Sequence, residues 1–144
     1  MNASTRWILP GLLLIATSVG RAAQCSVAVV GVTFGNYDVF SSQDTDVAGT
    51  ITVSCQSAST YSISLSPGVG SLVARRMTNG VNQLAYNLFT DPQRLTIWGD
   101  GSAGTTTVNA TGTGASYTVF GRIPAGQNAY VGSYSDTIIV TVTY

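Results

Sequence analysis

The sequence predicts an all-β sandwich, and three observations carry that prediction. The last stretch, SYSDTIIVTVTY at residues 133–144, puts Ile138, Val140, Val142 and Tyr144 on one face of an extended chain and Ile139, Thr141 and Thr143 on the other. The same period of two returns in earlier stretches at intervals of roughly ten to fifteen residues, enough for about seven or eight short strands. No amphipathic helical run separates them, and the connections are rich in Gly, Ser, Thr and Asn. The closing strand reaches the final residue, so its last side chain is expected to be buried. Every earlier segment then supplies that strand with a neighbour or a facing wall.

Taken in order, residues 1–22 read as an export leader. Arg6 is the positive start, residues 7–20 are apolar with LLLI at 12–15, and Gly20 and Ala22 are the small residues a signal peptidase reads, which places cleavage after Ala22. The apolar run falls short of the about 20 residues a spanning helix needs, so no transmembrane anchor is expected. Residues 23–144 are long enough for one domain with a single core. CSVAVVGVTF at 25–34 reads as the first strand, with Gly31 as a bulge or kink. Residues 38–49 are polar and read as a loop. TITVSC at 50–55 is the second strand, 57–60 a turn, and Tyr61, Ile63 and Leu65 alternate with serines in a third strand that Pro67-Gly68 stops.

Residues 68–82 read as loop with a short strand near Arg76 and Met77. LAYNLFT at 84–90 is a strand, Asp91-Pro92 opens a turn, and LTIW at 95–98 is a short strand before the glycine-rich hairpin GDGSAG at 99–104. Residues 105–114 are extended but weakened by glycine, 115–123 form a strand, and 124–132 the last loop. Strands of this length are too short for an outer-membrane barrel, whose strands run about 9–11 residues.

Cys25 and Cys55 are the two cysteines of the chain, and in an exported protein such a pair reads as a disulfide. Neither has a CxxC spacing that would mark a redox role. The six positive charges are all arginine, the six negative charges are all aspartate, and there is no histidine. Imidazole catalysis and histidine metal ligation are therefore excluded. The aspartate pairs Asp44/Asp46 and Asp91/Asp100 sit in turn-like sequence, where Asp caps backbone, so no catalytic, metal or cofactor site is expected. Scattered arginines make no basic track, so nucleic acid is not an expected partner. Candidate surface-binding residues are Arg75, Trp98 and Tyr130. Trp98 reads first as a core aromatic and second as a platform for stacking sugar, and an exposed Trp98 or Tyr130 would favour a carbohydrate- or surface-binding adhesin module. Asn109-Ala110-Thr111 matches the glycosylation triplet.

Laid side by side, these segments carry a resemblance. Cys25 is followed by FGNY at 34–37, GTITVSC at 49–55, YSISL at 61–65, Arg76-Met77, LAYNLFTD at 84–91, WGDG at 98–101, FGRIP at 120–124 and GSYSDT at 132–137. Across residues 23–144 this text resembles the spore coat protein U domain family, which includes the pilins of archaic chaperone-usher pili. The resemblance implies an immunoglobulin-like β-sandwich that is incomplete, lacking its final strand. It implies a groove with Val27 and Val29 near one side and Ile138, Val140, Val142 and Tyr144 on the other, filled first by a periplasmic pilus chaperone and then by another coat or pilus subunit through strand complementation. The implied role is that of a non-catalytic structural subunit of a pilus or spore-coat-like layer, exported to the periplasm and then to the cell surface. With only Ala23 and Gln24 between the expected cleavage point and Cys25, the chain is expected to accept a strand but not, by its N-terminus, to give one.

Overall fold

A computed structural model describes residues 24–144, and the leader read at residues 1–22 lies outside the described residues. Seven strands are present: β1 (Cys25–Val30), β2 (Thr45–Leu65), β3 (Val69–Ser71), β4 (Ala74–Asn79), β5 (Asn82–Phe89), β6 (Val108–Ile123) and β7 (Val140–Thr143). All their pairings are antiparallel, in the order β1-β2-β6-β5-β4-β3, with β7 also on β2.

The long pair β2 and β6 organises the rest. Their register runs from Thr45↔Ile123 to Ser54↔Gly114, then resumes at Ser59↔Gly112, so residues 55–58 stand opposite Thr113 alone. Gly112 and Gly114 flank that break at φ 147° and 117°, backbone positions that L side chains avoid. The break bends the ribbon, and Ile51 and Val53 from one half join Tyr61, Ile63 and Leu65 from the other in a single core. On the opposite edge of β2, β1 lies along residues 50–55 and β7 along residues 62–65, end to end.

Several boundaries differ from the sequence reading. Residues 57–60 are no turn between two strands but part of one 21-residue strand, Ser57 and Ala58 within its bulge and Ser59 and Thr60 back in the ladder, because a backbone excursion looks the same as a turn in local composition. Likewise 105–114, from Val108 on, and 115–123 merge into β6, and the polar loop at 38–49 gives its last five residues to β2, where Arg122 pairs with Asp46 in register. The irregular 68–82 stretch contains β3 and β4. Residues 95–98 make only isolated bridges, Phe89↔Ile97 and Trp98↔Thr106. The first strand ends at Val30 rather than Phe34, and the last is ordered into a ladder only from Val140. Tyr144 is 57% exposed, against the expected burial of the final side chain.

Beyond Val30 the chain crosses the inner face of β2 and β6. Two buried glycines make the crossing possible. A Cβ on Gly49 would stand 2.6 Å from the Val30 carbonyl oxygen, and one on Gly121 would stand 2.8 Å from Val32 Cγ1 and 2.9 Å from Phe34 Cζ. Phe34 then meets Tyr86 edge-on, with ring centroids 5.8 Å apart.

The core is closed by polar groups that have partners. Trp98 is buried and donates Nε1–H to the Ile63 carbonyl at 3.0 Å. The Tyr61 and Tyr117 hydroxyls share a 2.6 Å hydrogen bond, and burial together with that bond pushes the Tyr117 phenol up to about 12. Outward faces are hydroxyl-rich, with Thr52 Oγ1 2.9 Å from Ser116 Oγ and Thr60 Oγ1 2.9 Å from Thr111 Oγ1.

Charge gathers at one place. Arg122 grips Asp46 with two bonds of 2.7 Å and lies 3.3 Å from Asp44, while Arg94 lies 3.3 Å from Asp46. The Arg122 hydrogen bond holds the Asp46 carboxyl below its ordinary value. A carboxyl depressed by folding contributes stability above its unfolded pKa, about 3.9, and that contribution is lost as pH falls through the folded value. Asp46→Asn is therefore expected to lower stability near neutral pH by under about 1 kcal/mol, since the cluster is partly exposed. The gap between wild type and variant should narrow as pH falls below the ordinary carboxylate range and the Asp46 carboxyl takes up its proton, as measured by urea denaturation across pH.

Candidate functional site

A cleft of about 990 Å³ opens into the core between residues 29–40 and 129–140. Its floor is apolar and belongs to the core: Leu84, Leu88, Ile51 and Ile123 are each 5% exposed or less. Its walls are unusual for a sandwich. Residues 31–37 belong to no strand, and among the described residues no backbone–backbone hydrogen bond outside the strand ladders ties them to a neighbour. Opposite them, residues 130–134 are in the same condition, held beyond that point by the bridge Thr78↔Ser135. Two lengths of backbone outside any ladder thus flank an apolar trough, the one carbonyl among them with a side-chain donor being that of Tyr130, which accepts the Tyr134 hydroxyl at 2.8 Å; this is the shape left when one strand of a sandwich is missing.

The groove residues named from the resemblance fall in three places. Val29, Ile138 and Val140 line the cleft. Val27 and Val29 pair opposite the core residues Val53 and Ile51, so they point to the inner face, yet they are 41% and 51% exposed because no strand covers them there. Val142 is half-buried against the core, outside the cleft lining. Tyr144 borders a separate recess with Gln24, Cys25 and Cys55, beside the Cys25–Cys55 disulfide.

Of the three surface candidates, two are not at the surface. Arg75 is fully buried, donating from Nε and Nη2 to the Ser66 carbonyl at 3.1 and 2.9 Å, from Nη2 to the Trp98 carbonyl at 2.8 Å, and from Nη1 to Asn87 Oδ1 at 2.6 Å. Burial pulls its pKa below the ordinary arginine value, opposed by the nearby Tyr86 and Asp136. Trp98 is core, as the first of its two readings had it. Tyr130 is 72% exposed and stands at the cleft. Arg75 and Trp98 thus give the carbohydrate- or surface-binding reading no support, and Tyr130, exposed at the cleft, is the one residue that still favours it.

The aspartates are occupied in the backbone. Asp91 accepts from the Leu95 and Thr96 amides, and Asp100 accepts from the Ser102 amide and hydroxyl. These bonds lower both carboxyls. Among the described residues, no group of three or more His, Cys, Asp or Glu is placed to hold a metal ion.

Three residues that sequence reasoning did not single out fix the cleft walls. Tyr37 donates its hydroxyl to the Pro124 carbonyl at 3.0 Å and accepts the Gln127 amide at 2.9 Å, tying one wall to the approach of the other. Gln127 pairs its carboxamide with both backbone groups of Ala85, each at 2.8 Å. β6 cannot extend to that point because Pro124 has no N–H, so a side chain stands in for the missing strand. Asp136 accepts from the Tyr86 hydroxyl at 2.7 Å and from the Val69 amide at 3.1 Å, pinning the second wall at its other end. The proline after β6 was a visible signal; nothing local marks a glutamine that will mimic a peptide group.

The Spore Coat Protein U domain pattern matches residues 12–141. The chain belongs to that family. Protein U of Myxococcus xanthus is 35% identical over 143 residues, a span covering 88% of this chain and 80% of that protein. Among solved structures, this Spore Coat Protein U domain resembles a chain in the crystal structure of the CsuC-CsuE chaperone-tip adhesion subunit pre-assembly complex from archaic chaperone-usher Csu pili of Acinetobacter baumannii. The TM-score is 0.64 at 20% identity, over 85% of this chain. The domain spans 40% of the length of that chain, and the likeness is one of fold.

Proposed function

We propose that this protein is a non-catalytic structural subunit of a pilus or coat-like cell-surface layer, and that its cleft accepts a β-strand from a partner chain. The observation that carries the reading is the pair of unladdered walls, 31–37 and 130–134, above an apolar floor. An inserted strand satisfies both sets of backbone groups and sets alternate side chains into the trough, so backbone bonds provide affinity and apolar pockets provide register. A periplasmic chaperone is the first such partner and another subunit the second, in keeping with family membership and with the pre-assembly complex named above. Export through a leader at residues 1–22, cleaved after Ala22, belongs to the same reading.

Co-expression with a periplasmic pilus chaperone tests it. A soluble one-to-one complex is expected, and Val29→Asp should weaken it at least about tenfold, because the half-exposed Val29 borders the trough and a carboxylate there loses its solvation when a strand arrives. The thermal midpoint of the isolated variant should stay close to wild type. A protein that folds and stays monomeric in full yield without any chaperone, and forms no complex when one is present, refutes strand acceptance.

A further inference from the structure

The two walls are not independent. Tyr37, the last residue of the first wall, ties it to the segment that leads into the second: the residue borders the cleft and its hydroxyl is held between the Pro124 carbonyl and the Gln127 amide. Gln127 is itself fixed by two carboxamide bonds to Ala85 of β5 and a third to the Pro124 carbonyl at 3.1 Å. Five hydrogen bonds thus converge on a small bridge between the end of the first wall and the segment that leads into the second. Toward the other end, by contrast, Val29 and Val27 lie open along β1 and no side chain crosses from wall to wall in the hydrogen bonds of the described residues 27–33. The first wall is tied down by side-chain hydrogen bonds at its Tyr37 end and not at its Val29 end.

We propose that Tyr37 and Gln127 form a register stop, positioning residues that decide how far an incoming strand advances. The inference rests on the strand-acceptance reading and deepens it. A sheet strand has side chains of period two, so a slip by one residue turns every apolar side chain out of the trough, and a slip by two leaves one pocket empty. Apolar pockets alone discriminate poorly between registers two residues apart when the incoming strand is a uniform repeat. A fixed bridge at one end removes that ambiguity. Tyr37 stands eight positions beyond Val29, so a segment of about eight residues, roughly 26 Å when extended at about 3.3 Å each, is the length to try in the trough. The occupant is an extended apolar segment of a partner chain whose leading residue ends against the Tyr37 ring.

The probe is a Thr-Val repeat peptide of about eight residues, long enough to fill the trough, with a benzophenone photo-crosslinker at one end, and a second peptide with it at the other. Crosslinked wild-type protein is digested and the adduct positions are read by mass spectrometry. One of the two peptides is expected to give a single adduct cluster within residues 124–127. Tyr37→Phe, which keeps the ring and removes both hydroxyl bonds, and Gln127→Ala, which removes the carboxamide, should each spread the adducts over several positions two residues apart. The fraction in the original cluster should fall by about threefold, on the scale of one lost hydrogen bond. Should Gln127→Ala fail to fold, the near-isosteric Tyr37→Phe decides alone. A loss of thermal stability with unchanged adduct positions overturns the register stop and leaves strand acceptance standing, as do wild-type adducts that are already spread. No binding of either peptide to the wild type overturns both.

Discussion

Replacing Arg75 by methionine is expected to lower stability by about 3–5 kcal/mol, although the substitution removes a charge and adds an apolar side chain of similar length. The guanidinium is fully buried and all its hydrogen bonds go to neutral oxygens. Methionine leaves the Ser66 carbonyl without its two N–H donors and the Trp98 carbonyl without its 2.8 Å partner, while Asn87 Oδ1 retains the Leu88 amide at 2.9 Å. Each buried acceptor so orphaned costs about 1–3 kcal/mol, well above what the added apolar area returns. Arg75→Lys should fall between the two, because one ammonium cannot reach three acceptors held in the geometry of a fork. Midpoints in urea with unchanged slopes measure the difference. A methionine variant within about 1 kcal/mol of wild type would sink the assignment of Arg75 as the polar keystone between β4, β5 and the Trp98 segment.

Reducing the Cys25–Cys55 disulfide, or replacing both cysteines by serine, is expected to cost about 3–4 kcal/mol by the chain-entropy estimate for a 30-residue separation, and to lower the thermal midpoint by roughly 10–20 °C. The loss should be unevenly distributed. β1 pairs with β2 alone, and its inward Val27 and Val29 are half exposed, so little apolar burial holds it once the covalent tie is gone. Calorimetry reads the midpoint, and hydrogen exchange reads the location. Amides of β1 should exchange far faster in the serine variant, while those around Ile63 and Val119 keep their protection. Uniform acceleration across the sheet would show instead that the disulfide supports the whole domain. For the proposed function the distinction matters, since β1 leads directly into the 31–37 wall.

Much of this architecture was legible in the alternation of side chains. The segments at 50–55, 61–65 and 115–123 fall within strands, as does 84–90 up to Phe89, and their apolar faces supply most of the core. The cysteine pair was legible from compartment and count. What composition did not disclose was continuity: Ser57 to Thr60 carry turn chemistry, but β6 supplies a partner on both sides of them, and a strand with a partner outlasts a local preference to turn. Arg75 was misplaced because arginine is almost never fully buried unless its donors are met, and the carbonyls that meet them are contributed by residues 9 and 23 positions away. The walls of the cleft were only half legible. Ile138 and Val140 announced themselves by period, whereas Tyr37 and Gln127 act through tertiary bonds spanning 87 and 42 positions, respectively.

The arginines of the described domain have one more consequence, for proteolysis. A trypsin-like protease needs lysine or arginine in a segment it can draw out as an extended strand, and this chain contains no lysine. Arg75 is buried, and Arg94 and Arg122 are bound into the aspartate cluster. Arg76 is exposed, but it sits mid-ladder, paired to Val69 on one side and Ala85 on the other, so cleavage there must wait for β4 to detach from both neighbours. A folded domain laid on the outside of a cell thus presents such enzymes with almost nothing to cut, and its resistance comes from where four side chains are placed instead of from any added armour.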